Sequence, residues 1–472
     1  MSYKIKLGLA PTRRDVFSKE DAWKHKELIE KKLKEWEIDY VNIDWLNDEG
    51  LLFEDSDAEK VADYFKREKV DAIFCPHVNF GTESAVAKLG AKMDKPLLLW
   101  GPRDDAPLPN GSRTRDTQCG LFATSKILRR FNVPFTYIVN STVDSDTFKK
   151  GFFNFLGAAN VVKALSNMRI GQISTRPEGF WTVMYNESEL LEKFGIEVVP
   201  VSLVEIVDLT KDILESRDDK LKEELAELKE RMDVIEMSDE EAKKMLALKL
   251  ALKEWAEVKN LSAIAIQCWN ALQDAIGIMP CFANSELTDI GLPVVCETDV
   301  HGAVTAVLTQ AAVFNSSSIF FADLTVRHPE NDNAELLWHC GPFPYSLKAE
   351  GSEGKIGKHF ILDSHAPGVA EWEIKGGKVT ITRFDGDNGE YKLLMGEGEG
   401  TSGPKNKGTY LWVEFKDWPK WEEKFIYGPY IHHVVGIHAE AMLPLFEAVK
   451  YIPHLEADLV DETEESLQER LR

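Results

Sequence analysis

The sequence predicts an α/β protein with two doubly wound parallel-sheet domains followed by a C-terminal β-rich, barrel-like domain. Three observations predict it. Over the first two thirds of the 472 residues, short β-branched runs alternate with longer amphipathic stretches, the pattern of parallel strands joined by crossover helices. That alternation runs through two successive series, each about a domain long. After residue 330 the helical period gives way to alternating apolar and polar runs parted by Gly and Pro turns. At roughly 150 residues per domain the length suits three domains, expected at 1–155, 156–328 and 329–472.

The first series places strands at 4–9, 40–43, 70–75, 96–100 and 134–139, with amphipathic helices such as 19–36 and 57–69 between them. The second places strands at 169–174, 197–201, 262–267, 293–297 and 318–323. Segment 203–260 stands apart: it is rich in Glu, Lys and Leu, and Ser238 followed by Glu241 reads as a capping box. Its dense charge pairs four residues apart favour solvated helices, so a surface helical insertion is expected there. Beyond 330, strands are expected at 378–384, 391–396 and 409–415, a helix over 437–450, and a solvated acidic tail from Glu456 onward.

Composition excludes several classes. The formal net charge is −23, which repels phosphate backbones and anionic membranes, so neither a nucleic acid nor a membrane is expected as partner. No apolar run approaches the roughly 18 residues of a membrane span. Residues 1–14 start a strand and lack the long apolar stretch of a secretory signal, which makes a cytoplasmic enzyme the expectation. Cys75, Cys119, Cys268, Cys281, Cys296 and Cys340 are scattered without a CxxC pair, as reduced core residues are. Phe80-Gly81 and Gly8-Leu9-Ala10 do not form GxGxxG, and GxxxxGK[ST] and GxSxG are absent, so nucleotide binding lacks support and a serine nucleophile is weakened.

Chemistry is sought at strand carboxyl ends, where ligands of parallel sheets gather. Three apolar runs end on polar residues there: Gln267, Glu297 and Asp323. An acid directly after such a run is costly unless it faces a cavity, a partner or a cation, and two at one rim raise a pKa or recruit a metal. The plain alternative is that each caps a helix or pairs with Arg or Lys. Downstream, Pro429-Tyr430-Ile431-His432-His433-Val434-Val435-Gly436-Ile437-His438 adds imidazoles. Neighbours on a strand face opposite ways, so at most one of His432 and His433 is expected in a given site. His339 is a further candidate, and His77 also follows a strand. Arg13, Arg14, Arg103, Arg113 and Arg115 are candidate anion binders, although such residues more often form surface ion pairs.

These residues resemble the L-fucose isomerase and L-arabinose isomerase superfamily, in its fucose-isomerase-like branch. The resemblance is carried by Val294-Val295-Cys296-Glu297-Thr298-Asp299-Val300-His301-Gly302-Ala303, by Phe320-Phe321-Ala322-Asp323-Leu324-Thr325, by Tyr430-Ile431-His432-His433, and by the upstream block Cys75-Pro76-His77-Val78-Asn79-Phe80-Gly81-Thr82-Glu83. The resemblance implies that Glu297 and Asp323 are metal-bound carboxylates that double as acid and base, with His433 the metal-bound imidazole. Gln267 falls near a substrate-contacting glutamine, and His339 near a histidine that ligates metal in arabinose isomerases. Gln267, His77, Phe80, Arg13, His339 and His432 are the candidate substrate contacts. Fucose isomerases carry Asn at the position of His432 and a Trp-rich segment in place of 77–80, so a sugar other than L-fucose is expected. The family also implies a homo-oligomer, a trimer or hexamer, with Trp100, Arg103 and the 77–83 block reaching a neighbour's site.

The same residues suit aldose–ketose isomerisation on chemical grounds. Moving a proton between C1 and C2 through an enediol needs an acid, a base and a cation, and two carboxylates with one imidazole suit Mn²⁺, or Mg²⁺ or Co²⁺. The alternatives are an isomerase of an anionic hexose derivative such as sulfoquinovose, a metal-assisted hydrolase on the same ligands, and a non-catalytic sugar-binding homologue.

Overall fold

The computed structural model describes residues 5–362 and 364–472; Lys4, the start of the expected first strand, lies outside them. The chain forms two compact units, one of Met1–Lys163, Leu443–Pro453 and Thr463–Arg472, the other of Ala164–Met442 and His454–Glu462.

The first unit holds a five-stranded parallel sheet in the order Tyr40–Val41, Leu7–Leu9, Ala72–Pro76, Leu97–Trp100, Thr136–Tyr137. Its central strands are buried at every position, which is why they read as continuous apolar runs instead of alternating ones. Ser18 caps the helix Lys19–Glu35 by accepting from the Asp21 amide, and the buried residues of that helix, Ala22, Lys26, Ile29 and Leu33, fall on one face.

The second unit combines a parallel sheet with a barrel. The parallel sheet has the order Val294–Val295, Ala263–Ile266, Arg169–Ile173, Glu197–Val201. The barrel is antiparallel: Glu390–Thr401, Gly377–Asp387, His433–Ile437, Ile319–Arg327, Ala334–His339 and Thr409–Glu414 follow one another, and the last pairs back onto the first to close it. Closure removes the exposed edges that an open antiparallel sheet would leave. One apolar cluster runs through both layers, from Ile173, Ile264 and Val294 of the parallel sheet to Phe320, Val434, Leu411 and Trp421 of the barrel.

Four expectations are corrected. The 318–323 run is the strand Ile319–Arg327, but it lies in the barrel, antiparallel to both neighbours. The chain turns back at 328–333 without the crossover helix that a parallel neighbour requires. The 203–260 segment is not a surface insertion. The Ser238–Glu241 capping box does open the helix Asp239–Lys259, yet Met245, Leu246, Leu248 and Leu252 of that helix are buried in the shared core. Its charges occupy the remaining positions, so a charge-rich composition concealed an apolar face. The acidic tail is ordered too: Leu455–Leu459 adds a parallel strand beside Glu390–Thr401, and Glu464–Arg470 is helical. Likewise 437–450 contains the end of a strand and then the helix Met442–Val449. Among the described residues, no helix is long and apolar enough to cross a membrane.

The barrel leaves no room at Gly436. It pairs with Phe320 in register, and a methyl group there would lie 2.2 Å from the Phe320 ring. Gly436→Ala is therefore expected to lower the unfolding free energy by about 1–3 kcal/mol, read as an earlier urea midpoint; an unshifted midpoint would refute this packing account.

Candidate active site

The site is assembled where barrel strands meet the carboxyl end of the parallel sheet. Asp323 and His433 are direct cross-strand partners on antiparallel strands, so both side chains project from the same face. His433 Nε2 lies 3.4 Å from Asp323 Oδ1 and 3.5 Å from Glu297 Oε2. These separations are longer than hydrogen bonds and suit neighbouring ligands of one ion.

Glu297 arrives from the parallel sheet through an uncommon turn. Glu297 and Thr298 both adopt the left-handed region, with φ of 54° and 59°, and a β-branched residue is rarely found there. The turn carries the chain from the strand Val294–Val295 into the wholly buried helix Val300–Ala312 within four residues. Asp299 caps that helix, its Oδ1 accepting from the Gly302 amide at 2.9 Å. A Cβ at Gly302 would meet the Asp299 carboxylate and the Phe321 ring at 2.6 Å, so the motif needs glycine to let them approach.

Asp299 does more than cap. Its Oδ2 accepts from His433 Nδ1 at 2.9 Å, and both its oxygens accept from the Arg383 guanidinium. Arg383 also donates through Nε to Asp385 Oδ2 at 2.8 Å, and Asp385 Oδ1 lies 2.8 Å from His301 Nδ1. Burial favours the neutral acid at Asp299, but Arg383 and His433 outweigh it and hold the carboxyl far below its usual range. Because Asp299 is ionised, it holds a proton on His433 Nδ1 and turns Nε2 towards Glu297 and Asp323, while burial is outweighed by the three acids, which together raise the ring's pKa above its ordinary value. This is the carboxylate–histidine arrangement that orients metal-bound imidazoles.

The two acids differ in environment. Burial pushes Glu297 up, but His339 and His433 overcome it and keep the acid below its ordinary value. At Asp323 burial dominates over the pull of the same two imidazoles, and the pKa is raised to about 6. Glu297 Oε2 and Asp323 Oδ1 are both buried without a hydrogen-bond partner. Two orphaned carboxylate oxygens that converge with the His433 Nε2 fit a divalent cation. Glu297's other oxygen accepts from Trp269 Nε1 at 3.2 Å and from the Cys268 thiol at 3.5 Å.

His339 Nε2 stands 3.6 Å from Glu297 Oε2, while its Nδ1 accepts from the Cys340 amide at 2.8 Å. Burial is outweighed by Cys340, Asp323 and Glu297, which raise the ring's pKa well above the ordinary imidazole value. His432 departs from the alternation argument. It precedes its strand, and a ring nitrogen of His432 lies within 4.8 Å of ligand atoms of both Asp323 and His433. Gln267 and Thr298 line an adjoining cavity of about 870 Å³.

His77, Phe80 and Arg13 belong to the other unit. His77 is fully buried, with Nε2 2.8 Å from Thr124 Oγ1 and Nδ1 3.2 Å from the Cys75 carbonyl. Burial drives its pKa down to about 4, so the ring is neutral. Phe80 stacks on Phe17 and under Arg14. Arg13 is paired with Glu49, Arg14 with Glu83, Arg113 with Asp116 and Arg115 with Asp21. Sequence reasoning missed Arg383, Asp385 and Trp269. Arg383 and Asp385 carry no motif beyond their alternation on one strand, whereas Trp269, two residues past Gln267, was detectable by its place at a strand end. Arg383→Met would leave two buried acids uncompensated. It should cost about 3–5 kcal/mol of unfolding free energy and weaken divalent-ion affinity by about 10- to 100-fold, read by urea titration and calorimetry.

Residues 8–166 match the Fucose/sulfoquinovose isomerase N-terminal domain family model. Curated relatives extend the likeness further. The chain is 26% identical over 338 residues to proteins named sulfoquinovose isomerase from Priestia aryabhattai and Priestia megaterium, covering 71% of this chain and 73% of theirs. It is 25% identical over 347 residues to the protein of that name from Alkalicoccus urumqiensis, covering 73% of this chain and 76% of the relative. Among solved structures, a periplasmic solute-binding protein from Actinobacillus succinogenes with bound D-allose covers 65% of this chain and 92% of its own at 15% identity and a TM-score of 0.17, too slight a likeness to inform fold or function. The matched N-terminal domain and relatives that span most of the length support a place in the fucose isomerase-like superfamily.

Proposed function

We propose that this protein is a metal-dependent aldose–ketose isomerase that acts on a free sugar through an enediol. The observation that carries the reading is the convergence of Glu297 Oε2, Asp323 Oδ1 and His433 Nε2, the two carboxylate oxygens orphaned. The names of its relatives support the reaction class. These three atoms would hold the cation, with Mn²⁺ the first choice and Mg²⁺ or Co²⁺ the others. When bound, the ion supplies electrostatic stabilisation for charge developing on the sugar's O1 and O2.

The chain's own residues divide the proton work. Glu297, kept below its ordinary pKa, is ionised at neutral pH and is the base that takes the C2 proton. Asp323, whose carboxyl burial raises to about 6 before a cation binds, is its acid counterpart. Trp269 and Cys268 hold one oxygen of Glu297 by hydrogen bonds, which leaves the other directed at the substrate side. Asp299 and Arg383 act through His433 and are positioning residues. A relative's substrate, sulfoquinovose, favours an anionic hexose over L-fucose.

A screen of aldoses with added Mn²⁺, neutral and charged, reading ketose formation and deuterium uptake at C2, tests the reading; no ketose from any aldose would sink it. Glu297→Gln is expected to abolish C2 exchange while leaving the thermal unfolding of the protein intact. Full turnover by that variant would remove Glu297 from the mechanism. The pH dependence has a defined sign. Between about pH 4 and 6 folded Asp323 keeps a proton that an ordinary carboxyl, at 3.8, has released, and a cation must displace it. Mn²⁺ affinity, measured by calorimetry, should therefore rise with pH through that window and level off above it. Asp323→Asn should flatten that rise as it weakens binding.

A further inference from the structure

The geometry points to Arg176 as the residue that recognises an anionic group at the far end of the sugar, a tetrahedral oxyanion on C6, with sulfonate preferred to phosphate. The inference rests on the isomerase reading, because the cation site defines which end of the sugar is near.

Three strand ends set the distance. Val295 pairs with Ala265, and Ala265 with Gln172, so Glu297, Gln267 and Ser174 end three neighbouring strands in one row. Strands lie about 4.8 Å apart, which puts the third end about 10 Å from the Glu297 end. An open-chain hexose spans about 6 Å from C1 to C6, given C–C bonds of about 1.5 Å. Adding a hydrogen bond of about 3 Å to a C6 oxyanion matches the row. Gln267 of that row lines the cavity of about 870 Å³, together with Gln172, Thr175, Arg176, Tyr185 and Thr298.

Arg176 is distinguished by its partners. Its Nη1 donates to two backbone carbonyls, Pro177 O at 3.1 Å and Glu178 O at 2.9 Å, and among the described residues it has no carboxylate partner. By contrast, Arg13, Arg14, Arg113 and Arg115 are all paired with acids. The carbonyls orient the guanidinium without neutralising it, leaving Nε and Nη2 for a ligand. The loop that bears it is tied to the catalytic turn. Thr298 Oγ1 donates to the Thr175 carbonyl at 3.4 Å, and Phe180 packs edge-on against Trp269, the residue that holds Glu297. The choice of sulfonate follows from charge. Arg176 is the one cation among the cavity-lining residues, and Glu178 shares its rim, so a monoanion is matched and a dianion is opposed.

The test is equilibrium binding to the Mn²⁺-supplemented full chain, by calorimetry, of sulfoquinovose, glucose 6-phosphate and glucose, for wild type, Arg176→Gln and Arg176→Lys, alongside ketose formation. Wild type should prefer sulfoquinovose over both others, Arg176→Gln should reduce that preference by about 10- to 100-fold, and Arg176→Lys should retain part of it. Loss that falls equally on all three sugars would show that Arg176 only shapes its loop and would overturn the proposal. An unchanged preference, or one for the phosphate, would overturn it as well. If wild type forms no ketose from any sugar, the isomerase reading fails on its own, and the sulfoquinovose-to-glucose binding ratio still decides Arg176.

Discussion

The buried pair of Asp299 and Arg383 is the interaction on which the rest of the site depends. One carboxylate caps a helix of the parallel-sheet layer, receives a guanidinium from a barrel strand, and takes the Nδ1 proton of His433 from a second barrel strand. Removing two charges from water is expensive, and the cost is offset here only because every oxygen of Asp299 is engaged and Arg383 reaches Asp385 as well. The dividend is orientation. A histidine whose far nitrogen donates to an ionised acid is held with its near nitrogen towards Glu297 and Asp323.

That constraint explains how two acids with opposite tendencies share one small space. Glu297 is surrounded by donors and imidazoles, while Asp323 has fewer compensating contacts and is governed by burial. Environments that separate the proton affinities of neighbouring carboxyls are what acid–base work at neutral pH requires. The strained left-handed turn at Glu297 and Thr298 belongs to the same design, since a relaxed strand exit would carry the carboxylate away from the barrel. His339 Nδ1 accepts from the Cys340 amide where His433 Nδ1 donates to Asp299, so two histidines of one site are held in different ways.

Global charge and local field diverge in this protein. The surface is strongly acidic, yet the cavity beside the catalytic turn presents an arginine held by carbonyls alone. A small anion is steered by the groups it finally touches, because salt screens exposed charges beyond about 8–10 Å. A net acidic charge is therefore compatible with binding an anionic sugar.

By itself the sequence determined the layered α/β-plus-barrel architecture, because side-chain periodicity and turn residues are local properties of the chain. It also singled out Glu297 and Asp323, since an acid after an apolar run stands out wherever it occurs, and the 432–438 histidine cluster, within which the family resemblance pointed to His433. Only the tertiary structure decided which of these side chains meet, because that depends on register between strands distant in the chain: Asp323 opposite His433 required an antiparallel pairing that the run of strands did not announce. The same holds for Arg383, Asp385 and Arg176, ordinary charged residues in sequence whose roles come from burial and from which acids stand nearby. The helix Asp239–Lys259 and the strand Leu455–Leu459 make the point for the fold, for charge-rich composition says what a segment contains, and packing alone decides which face of it meets water.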